Sequence, residues 1–111
     1  MKETADFAHF QALDLRIGRI EAVEEAETRK PLYRVTVDLG PEIGTRTSIA
    51  GYANYPKEGL IGRQVVCVVN FAPKKMGPET SELFILGAVG PEGEGIFITP
   101  EREAPLGSIV I

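Results

Sequence analysis

The sequence predicts an all-β domain, either a small barrel or a sandwich. Short apolar segments follow one another from residue 14 onward, and glycine and proline residues separate them. The segment from Tyr33 to Leu39 has apolar residues at every second position, which is typical of an antiparallel strand with one exposed face. The run from Gln64 to Asn70 is the most apolar and is rich in valine, which is typical of a short strand buried on both faces.

The remaining elements follow from the same kind of pattern. Thr4 is a candidate N-cap for a short helix over residues 5–13. Apolar residues alternate as far as Ile17, and the pattern then slips by one at Gly18-Arg19, which predicts a bulge or sharp bend in a strand over residues 14–24. We expect further strands over residues 45–50, 83–89 and 96–98, a polar connection over 25–31, a short helical or irregular connection over 52–62, and a basic loop over 71–82.

The length of 111 residues fits one domain with one modest hydrophobic core. We expect the N-terminal helix within residues 1–13, the barrel core within 14–90 and a C-terminal extension over 91–111.

Both ends of the chain are apolar, which suggests how the protein assembles. Phe7 and Phe10 lie near helical spacing on a helix that is too short to be stable alone. The chain ends in Ile109-Val110-Ile111, and a free strand of this kind would be an exposed, sticky edge. This strand must pair either inside the barrel or with another chain. We therefore predict a homodimer whose interface includes Phe7, Phe10, Ile109, Val110 and Ile111.

The composition favours a cytoplasmic protein. No stretch of about 18 apolar residues is present, so we expect no membrane insertion, and residues 1–6 show no apolar export signal. A single cysteine, Cys67, rules out an intrachain disulfide framework and a cysteine metal cluster. The net charge is −4, but residues 16–75 carry +3 and the rest of the chain −7, so an acidic protein can still present a basic face.

No motif argues for an enzyme, and we expect no catalytic residue, metal or cofactor. His9 is the only histidine, and it stands far in sequence from a cysteine or acidic pair at metal-ligand spacing. None of the serines lies in a nucleophile elbow, and the chain has no phosphate-binding loop or dinucleotide fingerprint. Cys67 lies between valines, which favours a buried, unreactive thiol.

The basic loop after the central strand is the best candidate for a binding site. Lys74 and Lys75 are either ordinary solvated side chains or, with Phe71 and Met76, the cationic rim of an apolar patch. Asn70 either satisfies backbone groups at the strand end or faces a ligand. The candidate binding residues also include Lys30 and Arg34, which line the same site if the 25–31 connection lies beside the loop, together with Ile49 and Ser81.

Several segments in order resemble the tRNA-binding domain family, which includes the C-terminal domain of methionyl-tRNA synthetases. The similar segments are Asp14–Ile20, Ala26–Tyr33, Gly62–Val66 and Val69–Gly77. Within the family, Arg29-Lys30-Pro31-x-Tyr33 and Ser81-Glu82-Leu83 resemble the branch of CsaA-type export-related chaperones. The tRNA-binding branch typically has Ser-x-Gly-Met where this chain has Ser81-Glu82-Leu83-Phe84.

The resemblance implies a five-stranded OB-fold barrel, a homodimer formed through terminal extensions, and binding of unfolded polypeptide or preprotein segments, with the secretion motor as a further partner. The alternative is structure-specific tRNA binding, in which the Lys74-Lys75 loop, Arg34 and Asn70 would contact the nucleic acid. A third reading is an assembly module that brings a partner enzyme to tRNA or to membrane machinery.

Overall fold

The computed structural model describes residues 1–111, which form nine short strands and three short helices. The helices are α1 (Phe7–Gln11), α2 (Gly40–Ile43) and α3 (Lys57–Leu60). The strands are β1 (Leu15–Glu25), β2 (Tyr33–Asp38), β3 (Thr45–Ala50), β4 (Gln64–Val68), β5 (Lys74–Met76), β6 (Glu79–Ser81), β7 (Phe84–Ile85), β8 (Gly87–Val89) and β9 (Gly95–Phe97). None of the helices is long and apolar enough to cross a bilayer.

Five antiparallel strands form the main sheet in the order β3-β2-β1-β4-β7. The sheet curls until its two edges meet, where the Glu82 backbone N–H donates to the Thr47 carbonyl at 2.8 Å. The hairpins β5–β6 and β8–β9 are attached to this barrel as separate two-stranded sheets. A five-stranded, nearly closed barrel with a short helix between its third and fourth strands is an OB-fold, which confirms the fold expected from the sequence.

The barrel interior is filled mainly by residues from the two strands whose patterns are clearest in the sequence. Val35 and Val37 of β2 are fully buried, whereas Arg34 and Thr36, which alternate with them, are partly exposed. Their alternation confirms the predicted strand with one exposed face. On β4, Val65 and Cys67 face the interior and Val68 is buried on the outer side. The strand is thus covered on both faces, as its sequence predicts, and burial raises the pKa of the Cys67 thiol to about 12.

The irregularity in β1 lies further along the strand than the sequence pattern suggests. The register with β2 shifts between Ile20 and Ala22, so Glu21 has no partner and marks the bulge. At Gly18, where we expected the slip, the strand continues in regular pairing with β4. The structure instead requires glycine at position 18 because neighbouring side chains pack closely against the backbone. A Cβ on it would stand 2.4 Å from Val37 Cγ1 and 2.9 Å from Leu39 Cδ2.

Two segments differ from the prediction in local detail. The expected loop over 71–82 contains the β5–β6 hairpin, and the expected strand over 83–89 is broken into β7 and β8. The break occurs at Leu86, whose N–H donates to the Val66 carbonyl of the main sheet. Its own carbonyl accepts from Ile98 N–H and from the Tyr52 hydroxyl. The chain therefore leaves the barrel at this residue, and the β8–β9 hairpin spans the boundary at 90/91 that we drew between core and extension.

The C-terminal segment of the chain pairs with β1, and the N-terminal helix α1 directly precedes it. The helix α1 covers five residues instead of the nine expected, and none of them is buried. The C-terminal segment pairs with the first half of β1 through an Arg16–Ile109 bridge, with hydrogen bonds between Ile17 N and Ser108 O and between Val110 N and Leu15 O. The backbone of the terminal strand is thus paired within its own chain. The side chains of Phe7, Ile109 and Ile111 remain exposed.

We predict that Gly18→Ala lowers the free energy of unfolding by about 1–3 kcal/mol, because the added methyl group overlaps two fully buried side chains in a packed core. Urea unfolding measures the effect. Gly51→Ala is the matched control, since the nearest atom to its added Cβ would be Leu32 Cδ2 at 3.9 Å, an ordinary contact. Equal stability of the two variants would show that the barrel relaxes freely around Gly18.

Candidate functional site

An open, mostly apolar groove of about 530 Å³ runs along the barrel surface where β3, β7, β8 and the β5–β6 hairpin meet. We call it the apolar groove. Five of the candidate residues predicted from the sequence line it: Ile49, Phe71, Lys74, Met76 and Ser81. The structure thus gathers them from β3, from the segment after β4 and from the hairpin, which are well separated in sequence.

Two aromatic side chains in the groove are about half exposed. Phe71 is 49% exposed and Phe84 is 53% exposed. Their rings meet edge to face, with centroids 5.9 Å apart. Covering such a ring with an apolar group is favourable. The free energy of binding improves by about 25 cal/mol for each Å² of apolar surface removed from water. The groove is therefore suited to apolar side chains of a partner.

Polar groups at the groove floor are already used by the fold. The Ser81 hydroxyl accepts a hydrogen bond from Ile49 N–H at 3.0 Å and donates one to the Leu83 carbonyl at 3.2 Å. Ser81 thereby joins the two edges of the barrel.

Leu83, which replaces the glycine typical of the tRNA-binding branch, is buried in the core. Lys74 is exposed and is the cation of the groove wall.

A second hollow, of about 690 Å³, lies at the turn of the β5–β6 hairpin. We call it the basic hollow. It is lined by Glu27, Thr28, Arg29, Lys30, Leu32, Met76, Gly77 and Pro78. The 25–31 connection therefore lies beside the hairpin, the adjacency on which the roles of Lys30 and Arg34 depended. Met76 lines both the hollow and the groove, so the two sites are neighbours across one side chain.

Arg34 takes part in an ion-pair network that holds the hairpin in place. Its guanidinium donates to both carboxylate oxygens of Glu79, at 2.8 and 3.1 Å, and lies 3.3 Å from a Glu24 oxygen. The Glu79 carboxylate is buried and also accepts from the Glu27 backbone N–H at 2.8 Å. That backbone hydrogen bond lowers the pKa of Glu79, burial acts in the opposite direction, and Arg34 lowers the pKa further. Much of the hydrogen-bonding capacity of Arg34 is thus used within the protein.

Asn70 also serves the fold. Its amide oxygen accepts from Asp14 N–H at 2.8 Å, and its amide nitrogen donates to the Ala12 carbonyl at 2.9 Å. These bonds tie the chain between α1 and β1 to the end of β4. The geometry agrees with the first of the two interpretations of Asn70, that of an amide that satisfies backbone groups.

Lys75 and Lys74 point to opposite faces of the hairpin. Lys75 is paired with Thr80, whereas Lys74 is paired with Ser81 and Met76 with Glu79. Side chains alternate across a strand, so Lys74 and Met76 share the groove face and Lys75 faces away from it. A molecule bound in the groove would contact only one of these two lysines.

Sequence reasoning missed two parts of the groove wall. Neither Phe84 nor Val89 was among the candidate binding residues, because both fall in the single strand predicted over residues 83–89. In the structure both line the groove, and Val89 is 81% exposed. The signal was present in the pair of glycines at positions 87 and 90, which bracket Ala88-Val89 and mark a short, separate strand. The buried acid Glu79 carried no comparable signal, because its partner Arg34 lies on a distant strand.

We predict that the stability supplied by Glu79 is lost in acid. A carboxylate whose pKa is lower in the folded state adds stability that is complete above its unfolded pKa of about 4.3 and disappears as the pH falls through its folded pKa. Glu79→Gln should therefore be less stable than the unaltered protein at neutral pH, and its stability should change less with pH in the acid range. Urea unfolding over a pH series measures both effects.

The control for this series is Glu58→Gln, because Glu58 is exposed and forms no ion pair. It should match the unaltered protein at every pH. A Glu79→Gln variant with the same acid sensitivity as the unaltered protein would contradict a stabilising role for this carboxylate.

Solved structures of two chaperones have the same architecture. Chaperone CsaA from Bacillus anthracis superimposes with a TM-score of 0.92, is 38% identical, and the match covers 98% of this chain and 100% of that one. The CsaA chaperone of Picrophilus torridus gives a TM-score of 0.91 at 33% identity over 97% of this chain and 100% of that one.

Curated relatives include much longer enzymes. The methionine–tRNA ligase of Thiobacillus denitrificans is 40% identical in an alignment 112 positions long, which covers 95% of this chain but only 16% of the ligase. The chain thus spans a small part of such relatives, and the similarity does not extend to the rest of the ligase. Residues 15–109 match the family model described as "Putative tRNA binding domain". With its OB-fold barrel and this match over most of its length, the chain belongs to the tRNA-binding domain family.

Proposed function

We propose that this protein is a chaperone that binds unfolded polypeptide or preprotein segments in extended form, with the apolar groove as the client site. The observation that carries the proposal is the groove itself, with Phe71 and Phe84 half exposed along it. Side chains of this size cost free energy when they stay in water, and an unfolded chain can cover them. The likeness to chaperone structures over the whole length supports the same function.

Cations near the groove refine the class of client. Lys74 lies on the groove wall, and Lys30 and Arg29 line the basic hollow on the far side of Met76. A segment that places apolar residues in the groove and acidic residues near these cations would satisfy both surfaces. Exposed ion pairs contribute only about 0–1 kcal/mol each. Apolar burial therefore supplies most of the affinity, and the cations make the site prefer clients with acidic residues.

Homodimerisation through the two termini would give each assembly two client sites. Phe7 is 69% exposed and stacks on Phe10 with ring centroids 5.8 Å apart, and Ile109 and Ile111 are also exposed. None of the residues of α1 is buried against its own chain. A second copy that covers these side chains would stabilise the helix. Two sites on one dimer would raise the avidity for a long client.

Binding of structured tRNA is the second candidate function, and the family match and the basic hollow favour it. Arg29 and Lys30 would contact phosphates, and Phe71 offers a ring on which a base can stack. The net charge of −4 works against this candidate, because long-range repulsion slows the approach of a polyanion. Contact with the secretion motor stays a prediction of the family resemblance.

We predict that Phe71→Ser weakens capture of an unfolded client by about tenfold or more, because a half-exposed phenyl ring would no longer be covered on binding. The client is reduced, carboxymethylated α-lactalbumin, and binding is followed by fluorescence anisotropy across a salt series. Ile61→Ser is the control, since Ile61 is 50% exposed and lies outside the groove.

Total tRNA is titrated in parallel with the same variants. Polypeptide binding that resists salt, is lost in Phe71→Ser and is kept in Ile61→Ser supports the chaperone function. If the protein binds tRNA but not the polypeptide, and the affinity for tRNA falls steeply with salt as counterion release requires, tRNA binding replaces the chaperone function. Equal aggregation of the unfolded client with and without the protein would also contradict the chaperone function.

For assembly, we predict a dimer in sedimentation velocity at micromolar concentration, and a shift toward monomer in Phe7→Asp. A carboxylate at this position would have to be desolvated in the interface. Ile61→Asp, a change of the same kind at an exposed site away from both termini, should stay dimeric. A monomer for the unaltered protein would reject the terminal interface.

A further inference from the structure

The strand β8 has an open hydrogen-bonding edge that borders the apolar groove. Gly87, Ala88 and Val89 are all exposed, and all three line the groove. The only strand paired with β8 is β9. We propose that an extended client is held as an added strand on this free edge of β8, a proposal that rests on the proposed function and specifies how the client is bound.

The register of the hairpin shows which backbone groups are free. Hydrogen bonds join Gly90 N to Glu94 O and Ile98 N to Leu86 O, so these pairs are of the hydrogen-bonded type. Such pairs alternate along an antiparallel ladder, which makes Ala88 and Ile96 the next hydrogen-bonded pair. Gly87 and Val89 therefore direct their N–H and C=O groups away from β9. Neither residue forms another hydrogen bond through these groups.

Two residues spaced by two positions present a repeating pattern of donor and acceptor. The spacing is about 6.6–6.8 Å, which is the repeat of an extended polypeptide. An added strand can therefore form up to four hydrogen bonds with Gly87 and Val89, while every second side chain is directed toward the groove. An RNA backbone offers phosphate acceptors and ribose hydroxyls, but not the paired N–H and C=O groups of an extended polypeptide. The edge thus selects polypeptide by its main chain, without regard to sequence.

Neighbouring edges are less available. On β3, Ile49 N–H donates to the Ser81 hydroxyl, and the Thr47 carbonyl accepts from Glu82 N–H. On β9, the Gly95 carbonyl accepts from the Asn54 side chain at 3.2 Å. A Cβ added to Gly95 would lie 3.1 Å from the Gly51 carbonyl oxygen, so this side of the hairpin is packed against the chain after β3. Among these edges, that of β8 is open and lies on the groove.

The test uses a fluorescent peptide of alternating leucine and serine. This alternation fixes the register, because a slip by one residue would turn the leucines away from the groove. Two further peptides carry N-methyl groups either at every leucine or at every serine. Strand addition uses the N–H groups of only one of these sets. We expect one methylated peptide to lose about tenfold or more in affinity and the other to bind like the parent.

The protein side of the test is Val89→Pro, which removes one outward N–H donor. Proline is tolerated on an edge strand where its nitrogen faces solvent, so the hairpin should persist. Val89→Ala is the matched control, since it keeps the N–H and removes the side chain. Both substitutions shorten the valine side chain, and only Val89→Pro removes the N–H, so we expect peptide binding about fivefold weaker in Val89→Pro than in Val89→Ala. Hydrogen exchange should also slow at the Gly87 and Val89 amides when the peptide binds.

The outcomes separate this proposal from the proposed function. If the parent peptide binds, both methylated peptides bind equally well, and Val89→Pro binds the peptide as tightly as Val89→Ala does, strand addition is wrong and the groove acts through side chains alone. If neither the parent peptide nor unfolded α-lactalbumin binds, the proposed function fails and strand addition fails with it. Protection of the Gly87 and Val89 amides in the free protein would show that a second copy occupies the edge, which would also overturn the proposal.

Discussion

The fold depends on the hydrogen bonding of β1 along both of its edges. Its first half, Leu15–Arg19, pairs with β4, and the segment from Arg19 to Glu25 pairs with β2. β2 does not extend along the first half of β1. There the C-terminal segment pairs with β1 instead, through the Arg16–Ile109 bridge. The backbone of the segment from Leu15 to Ile20 is thus paired on both sides, which agrees with the cost of leaving such groups unpaired when they are buried. Glycine at position 18 permits this, because the strand passes so close to Val37 and Leu39 that no Cβ fits.

The apolar groove and the basic hollow depend on a second, more local constraint. The β5–β6 hairpin is outside the main sheet, so its position must be fixed by contacts at its own ends. Glu79 provides one such contact, because its buried carboxylate binds the Arg34 guanidinium and the Glu27 backbone together. The same contact draws the 25–31 connection against the hairpin and so creates the basic hollow. Loss of the carboxylate would therefore change both surfaces at once, although it lines neither of them.

Sequence patterns predicted the barrel strands well, because periodicity records which face is buried. The alternation of Tyr33, Val35 and Val37 and the valine run at 64–70 report directly on burial. Gly87 was the only sign of the break at Leu86 in the sequence, and the place of the break depends on backbone hydrogen bonds to Val66 and Ile98 from other parts of the chain. Residue type was a weaker guide at the site. Arg34 and Asn70 carry groups that suit a ligand, but distant partners in the fold already use those groups.

The two candidate functions draw on different free energies at the same hairpin. Lys74 and Met76 share the groove face, so a client there gains apolar burial with one nearby cation, and little of that gain depends on salt. A polyanion would instead rely on Lys75, Arg29 and Lys30, which lie outside the groove, and its binding would weaken steeply as salt rises. In the proposed strand addition, β8 would contribute uncharged main-chain hydrogen bonds beside the groove, so the free energy available to an extended polypeptide would exceed what Lys74 alone supplies. The acidic charge of the rest of the chain opposes the polyanion and leaves an uncharged apolar segment unaffected.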